Sequence, residues 1–231
     1  MKKTSFYAFI ITILFMSCNS KTNSPEFIKN NTGRYLYNSD EIIEVYFNNT
    51  ELFLKWHGAA EIQPLKVDEN TFYVKEMNEK IQFKKNPENN ISYIVLVPKN
   101  EKDQFQYNFR KLNDDEKTPT EYLLNNEFDK ALEAYQSIKQ HDSLDPIIEE
   151  AYLNRLGYNE LKNKNFSKAL AVFKINMALY PNSSNTYDSY ADALFKKGDT
   201  IEAIEYYKKS LTLDSGNSNA IRQIKRLEKK E

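Results

Sequence analysis

This 231-residue chain is poor in the residues that most often build enzyme sites, with one cysteine, two histidines, one tryptophan and five glycines. A lone cysteine excludes an internal disulfide. His57 and His141 have no cysteine or second histidine at metal-ligand spacing, so no metal site is predicted. The five glycines form neither a phosphate-binding loop nor a Gly-x-Ser-x-Gly elbow. We therefore expect no metal and no cofactor.

An excess of charge of one sign is also missing. Lysine and arginine number 32 against 33 acidic residues, for a net charge of −1. Binding to nucleic acid normally requires a concentrated basic face, so nucleic acid is not expected as a partner. The apolar fraction of 40% and the aromatic fraction of 13% are sufficient to bury a core in one domain or two small ones.

The first eighteen residues differ from the rest of the chain. "MKK" followed by "TSFYAFIITILFMS" has the charged start and short apolar core of a secretory signal, and it is too short for a good membrane span. The run ends at Cys18. We predict a signal peptide over residues 1–17 and a flexible polar tether over residues 18–29.

Ser17 and Cys18 resemble the end of the lipobox of bacterial lipoproteins, although Phe15 and Met16 replace its more usual residues. The resemblance implies that Cys18 carries palmitate or similar acyl chains as the first residue of the mature protein. Such chains would hold the protein in the bacterial cell envelope, on the periplasmic side of a membrane or on the cell surface. The alternative is an ordinary signal peptide with an incidental cysteine.

Residues 30–113 consist of short alternating segments separated by turns rich in asparagine, glycine and proline. Eight of them have strand length and many β-branched or aromatic residues, from "GRYLYN" to "QFQYNFRKL". Ile43, Val45 and Phe47 share one face of their segment. This pattern predicts a small antiparallel β meander or barrel. Side chains filling its interior are expected, and an apolar ligand there is the alternative.

A longer period begins after residue 113. Ala169 and Ala203 stand 34 residues apart within similar surroundings. Residues 150–183 and 184–217 resemble two tetratricopeptide repeats, although Ser215 stands where that family prefers proline. The residues that carry the resemblance are Leu156, Gly157, Ala169, Phe173, Pro181, Tyr187, Ala191, Gly198, Ala203 and Tyr207.

Two further segments complete the predicted helical array. Residues 114–149 contain Ala131 and Tyr135 in the matching relation and are interpreted as a degenerate first repeat. Residues 218–231 predict a one-sided capping helix. The predicted fold class is therefore α+β and multidomain, with a small antiparallel β domain followed by an all-α helical solenoid of tetratricopeptide type.

The arrangement also resembles the β domain and repeat tail that follow the catalytic domain in bacterial penicillin-binding-protein-like serine hydrolases. Gly33, Tyr35 and Phe83 carry this likeness in the β part. However, no serine in the chain is followed three residues later by lysine, so the nucleophile and base of those hydrolases are absent. We predict a protein that is not an enzyme.

The repeat family implies that the first helix of each pair lines a groove for a protein partner. The groove candidates are Asn154, Tyr158, Leu161, Lys162, Asp188, Asp192, Phe195 and Lys196. Asp188 and Asp192 lie one helical turn apart and are predicted to contact a basic or amide-rich partner, whereas Ser189 is assigned a structural role. The alternative is a groove that is merely solvated or packed against the β domain.

These observations predict a membrane-anchored lipoprotein that is not an enzyme and whose repeats mediate protein–protein interaction with an unidentified partner. Two alternatives stay open. One is an accessory subunit acting in trans with a serine hydrolase, and the other is binding of a small ligand by the β domain.

Overall fold

A computed structural model describes residues 22–100 and 102–229 of the chain. The predicted signal peptide, the Cys18 lipidation site and the first part of the tether lie outside the described residues. Within the described part, no helix combines the length and the apolar character needed to cross a bilayer.

The described strands form an antiparallel sheet with the order β4-β3-β2-β1-β9-β8-β7-β6-β5. They are β1 Gly33–Leu36, β2 Ile42–Asn48, β3 Glu51–Trp56, β4 Ala59–Ile62, β5 Leu65–Lys66, β6 Thr71–Val74, β7 Glu79–Lys85, β8 Ser92–Leu96 and β9 Phe109–Lys111. One predicted segment, "EIQPLKV", is divided between β4 and β5. Pro64 stands at the division, where its missing N–H interrupts strand pairing.

Among the described residues, one short helix precedes the strands and seven further helices follow them. They are α1 Pro25–Asn31, α2 Pro119–Leu124, α3 Phe128–His141, α4 Glu150–Lys162, α5 Phe166–Leu179, α6 Ser184–Lys197, α7 Thr200–Leu213 and α8 Ser218–Leu227. A 3₁₀ turn at Pro146–Ile148 precedes α4. The fold is thus α+β, as predicted.

The chain divides into two compact units, and the first contains described residues 22–32, 44–100 and 102–107. Its core follows the alternation expected of strands, since Val45, Leu54 and Ile81 are almost fully buried. The Phe27 ring of α1 packs against the rings of Phe47, Phe72 and Phe83, whose centroids lie 6.1, 5.8 and 5.4 Å from its own. The rings make α1 part of this core.

The predicted tether is helical from Pro25 onward, which corrects the expectation of a flexible segment through residue 29. Ser24 caps α1 because its hydroxyl accepts a hydrogen bond from the N–H of Phe27 at 3.1 Å. Pro25 occupies the first helical turn, where a missing N–H costs no helical hydrogen bond. The polar composition therefore concealed one half-buried anchor, the Phe27 ring.

The second unit contains Gly33–Ile43 together with Asn108–Glu231, so its boundary differs from the predicted division at residue 113. Side chains beside β1 explain the difference. Arg34 forms an ion pair with Glu121 of α2, and Asp40 accepts a hydrogen bond from the N–H of Thr120 at 2.9 Å. These long-range polar contacts join a segment from the predicted β domain to the first helix pair.

The helices of the second unit are paired by short turns. In each of three turns one residue adopts positive φ: Asn126 between α2 and α3 (60°), Lys164 between α4 and α5 (61°), and Gly198 between α6 and α7 (107°). Lys164 and Gly198 stand 34 residues apart, which is the period found in the sequence. The same backbone turn therefore recurs with the repeat, although only one of the three residues is the glycine that left-handed geometry favours.

Small residues permit close packing between the paired helices. Ala169, Ala193 and Phe173 are fully buried and form one cluster, and Ala191, Ala203 and Tyr207 belong to the next. Gly157 of α4 faces the Phe173 ring so closely that a Cβ atom there would lie 2.5 Å from Cε1. The small and aromatic residues among those that carry the repeat resemblance, such as Gly157, Ala169 and Phe173, thus act in packing.

Candidate binding face of the helical repeats

The first helices of successive pairs, α4, α6 and α8, are linked by polar side chains. The Tyr158 hydroxyl of α4 donates to Oδ2 of Asp192 on α6 at 2.8 Å. Asn219 of α8 donates through Nδ2 to Oδ2 of Asp188 at 2.9 Å. We call the side presented by these three helices the first-helix face, because the predicted groove residues lie on it.

Asp192 is the centre of the network on this face. Besides the Tyr158 hydroxyl, it accepts a hydrogen bond from the Tyr207 hydroxyl of α7 and a longer one, 3.4 Å, from Asn219. Burial and contact with the Asp192 carboxylate raise the pKa of both tyrosine hydroxyls, which therefore remain protonated donors at neutral pH. The arrangement holds the Asp192 carboxylate in one orientation.

Asp188 is buried, with 8% of its surface exposed. Burial raises the pKa of its carboxyl, the hydrogen bond from Asn219 opposes that increase, and the charge of Asp192 adds to it. Its Oδ1 atom is buried without a hydrogen-bond partner among the described residues. The predicted contact between Asp188 and a partner is therefore hindered, because the Asp188 side chain is enclosed.

The titration of Asp188 has a predictable effect on stability. Because the folded-state pKa lies above the ordinary value of 3.8, the folded protein binds this proton more tightly than the unfolded chain does. Its contribution to stability is present below that ordinary value and is lost as the pH rises through the raised pKa. Asp188→Asn removes the titration and retains an acceptor for Asn219. Urea unfolding at about pH 4 and pH 7 should show the variant gaining on the wild type at the higher pH.

A constant difference between the two proteins at both pH values would contradict this linkage. Asp142→Asn, at an exposed position in the loop after α3, is the matched control. It should show no comparable gain.

The other predicted residues differ in exposure. Leu161 is half-buried and packs against the cluster of Ala169, Phe173 and Ala193. Phe195 is also half-buried. Lys162 and Lys196 are exposed, as a partner contact requires, and Asn154 is partly buried with its Oδ1 lacking a hydrogen-bond partner among the described residues. Ser189 is fully buried, which excludes it as an accessible nucleophile.

Three polar residues of α8 were missed because this segment was interpreted only as a cap. Extending the 34-residue period past residue 217 places Asn219, Arg222 and Arg226 at the positions of Asn185, Asp188 and Asp192. Arg222 donates to Oδ1 of Asn219 at 2.6 Å. The Arg226 guanidinium lies 5.1 Å from the centroid of the Phe195 ring, within cation–π range. The period itself was the signal that would have identified them.

The side chains of this face carry carboxylate, hydroxyl and cationic groups. Within the described part of the chain, no group of three or more histidine, cysteine, aspartate or glutamate side chains is placed to hold a metal ion. The face combines one enclosed carboxylate, Asp188, and one half-buried carboxylate, Asp192, with exposed cations on α6 and α8, Lys196, Arg222 and Arg226. Such a surface can offer hydrogen bonds and ion pairs to another molecule.

Comparison with known proteins gives no family model and no curated protein that matches this chain. Solved structures of tetratricopeptide repeat domains are similar over about half of it. The first such domain of Spaghetti (RPAP3), bound to an HSP90 peptide, is 18% identical with a TM-score of 0.35, over 48% of this chain and 86% of that one.

Two further domains give similar values. The Sgt2 domain from Aspergillus fumigatus is 18% identical with a TM-score of 0.35, over 48% of this chain and 73% of that one. The Arabidopsis OM64 domain is 18% identical with a TM-score of 0.35, over 49% of this chain and 90% of that one. In this chain α4–α7 form two helix pairs that recur with a 34-residue period, and Gly157 packs against Phe173 within the first pair.

Proposed function

We propose that this chain is a lipid-anchored protein of the bacterial cell envelope whose first-helix face binds a protein partner without catalysing a reaction. The observation that carries the binding part is the connected row of polar side chains across α4, α6 and α8. Tyr158, Asp192 and Asn219 hold one another by hydrogen bonds, so the face is ordered before a partner arrives. Preorganised side chains lose less conformational entropy on binding.

The exposed rim of this face favours contact with acceptor groups of a partner. Lys196, Arg222 and Arg226 are exposed donors, whereas Asp188 is enclosed. The sequence had predicted a basic or amide-rich partner from the two aspartates. With Asp188 buried, we propose instead that the partner presents carbonyl or carboxylate oxygens to these three cations.

The anchor is proposed from Cys18, the single cysteine, which follows Ser17 and an apolar run. Labelled palmitate supplied to bacteria should enter the wild-type protein and not Cys18→Ala. The variant should also be released from the membrane fraction. Equal membrane retention of both proteins, with no label incorporated, would refute lipid anchoring.

Photo-crosslinking in intact cells tests the binding face. A photoreactive amino acid at Lys196 or Arg226 should capture a discrete protein, because both side chains are exposed on the first helices. The matched control is Lys174, an exposed lysine on the second helix α5. Capture at Lys174 alone, or equal capture at all three positions, would refute the assignment of the first-helix face.

A further inference from the structure

The strand β5 exposes apolar side chains at one end of the strand order. Leu65 is 65% exposed, and Val67, directly after the strand, is 42% exposed. Lys66 stands between them. Two exposed aliphatic residues so close together on an edge strand need an explanation, because neither contributes to the core of its own unit.

The start of the described chain is attached beside this strand. Nζ of Lys66 donates to the carbonyl oxygen of Thr22 at 2.7 Å. The next residue, Asn23, is 4% exposed, and its Nδ2 donates to the carbonyl oxygen of Thr50 at 2.8 Å. Thr22 is therefore held at the β5 edge and Asn23 at Thr50, both within the first unit.

The proposed lipid anchor is close in sequence to this point. Residues 19–21 separate Cys18 from Thr22, and four Cα–Cα steps can span at most about 14 Å. The polar headgroup region on each side of a bilayer is roughly 5–7 Å thick. An acylated Cys18 would thus confine Thr22, and Lys66 with it, to the immediate neighbourhood of the membrane surface.

We infer that Leu65 and Val67 form a second membrane contact, inserting into the lipid interface beside the acylated Cys18. This inference rests on the proposed anchor. Exposed aliphatic side chains add to attachment by acyl chains, because they bury further apolar area among the lipids. The occupant of this patch is the bilayer surface itself.

The charges near the patch define the kind of lipid surface. Asp68 and Glu69 follow Val67 and are exposed, while the Lys66 ammonium is engaged by the Thr22 carbonyl. Hydrogen bonds from the N–H groups of Asn70 and Thr71 keep Asp68 in its turn, and they lower the pKa of its carboxyl against a desolvation cost. The acidic turn opposes attraction to anionic headgroups. Contact with a zwitterionic surface, insensitive to salt, is expected.

The mature acylated protein provides a direct test, because Cys18 is its only native cysteine and acylation blocks that thiol. An environment-sensitive fluorophore is attached to Leu65→Cys or Val67→Cys in vesicles of phosphatidylethanolamine and phosphatidylcholine. The label should shift its emission to shorter wavelength, lose its quenching by aqueous iodide and gain quenching by nitroxide lipids. Leu144→Cys, at a residue that is 88% exposed in the loop after α3, is the matched control and should stay accessible to iodide.

Mass spectrometry of the same samples separates the two claims. An acylated protein whose labels at positions 65 and 67 behave like the label at position 144 overturns the membrane contact and leaves the anchor intact. A protein that carries no acyl group overturns the proposed anchor, and the membrane contact is refuted with it. Because Leu65 and Val67 are exposed, neither cysteine variant is expected to disturb folding, which far-UV circular dichroism checks.

Discussion

Replacing Gly157 with alanine is expected to lower the free energy of unfolding by about 1–3 kcal/mol. A Cβ atom at this position would lie 2.5 Å from Cε1 and 2.6 Å from Cζ of Phe173. The Phe173 ring is fully buried and is packed edge-on against Tyr158 at 5.2 Å, so it has little space in which to move. Alanine would gain up to about 1 kcal/mol in helix propensity, and the measured loss is net of that gain.

Urea unfolding of the wild type, Gly157→Ala, Phe173→Leu and the double variant measures this contact as a double-mutant cycle. Phe173→Leu alone removes buried aromatic surface and is itself destabilising. In the double variant the smaller side chain leaves room for the new methyl group, so the two losses should be less than additive. Gly157→Ala with wild-type stability, or strict additivity, would show that the ring does not restrict this position.

Reversing the charge of Asp188 to lysine is expected to cost about 2 kcal/mol or more of stability. The new ammonium would be enclosed at a position that is 8% exposed, and it would face Asn219 Nδ2, which is itself a donor. Arg222 is close enough to influence the charge at this position and would repel it. Asp192, one helical turn away, offsets part of this cost.

The consequence for binding experiments is practical. Loss of partner capture by Asp188→Lys would report a disturbed repeat rather than a lost contact, so urea unfolding must accompany it. Asp188→Asn, which has nearly the same shape, is the matched control and should remain folded. Wild-type stability of Asp188→Lys would place this side chain in solvent and would restore it as a candidate contact.

The repeat architecture was accessible from sequence because its causes are local. Small residues at Ala169 and Ala203 and aromatic residues at Phe173 and Tyr207 recur with the helix pairs, and their spacing alone predicts which positions pack. Alternation likewise predicts which strand positions are buried, since successive side chains of a strand point to opposite faces of the sheet. The helical start at Pro25 was missed because the half-buried Phe27 ring packs against Phe72 and Phe83, which are distant in sequence.

The roles of individual site residues were less accessible. Asp188 and Asp192 differ by one helical turn in sequence and are equivalent by pattern, yet one is enclosed with Asn219 and the other receives two tyrosine hydroxyls. The donors that reach each carboxylate come from α4, α7 and α8, and they lie 34, 15 and 31 positions away in the chain. Their positions therefore depend on how closely these helices approach α6. The burial of Asp188 and the raised pKa of its carboxyl follow from that approach.

The sequence by itself determined the α+β class, the alternating strands, the 34-residue helical period and the small residues at which helices meet. Each of these depends on neighbours in the chain or on a repeat that can be counted. Tertiary structure alone decided that residues 33–43 join the helical unit through Arg34 and Asp40, and that the Lys66 ammonium donates a hydrogen bond to the Thr22 carbonyl. Such contacts depend on shape and on long-range hydrogen bonds, for which local residue patterns carry no signal.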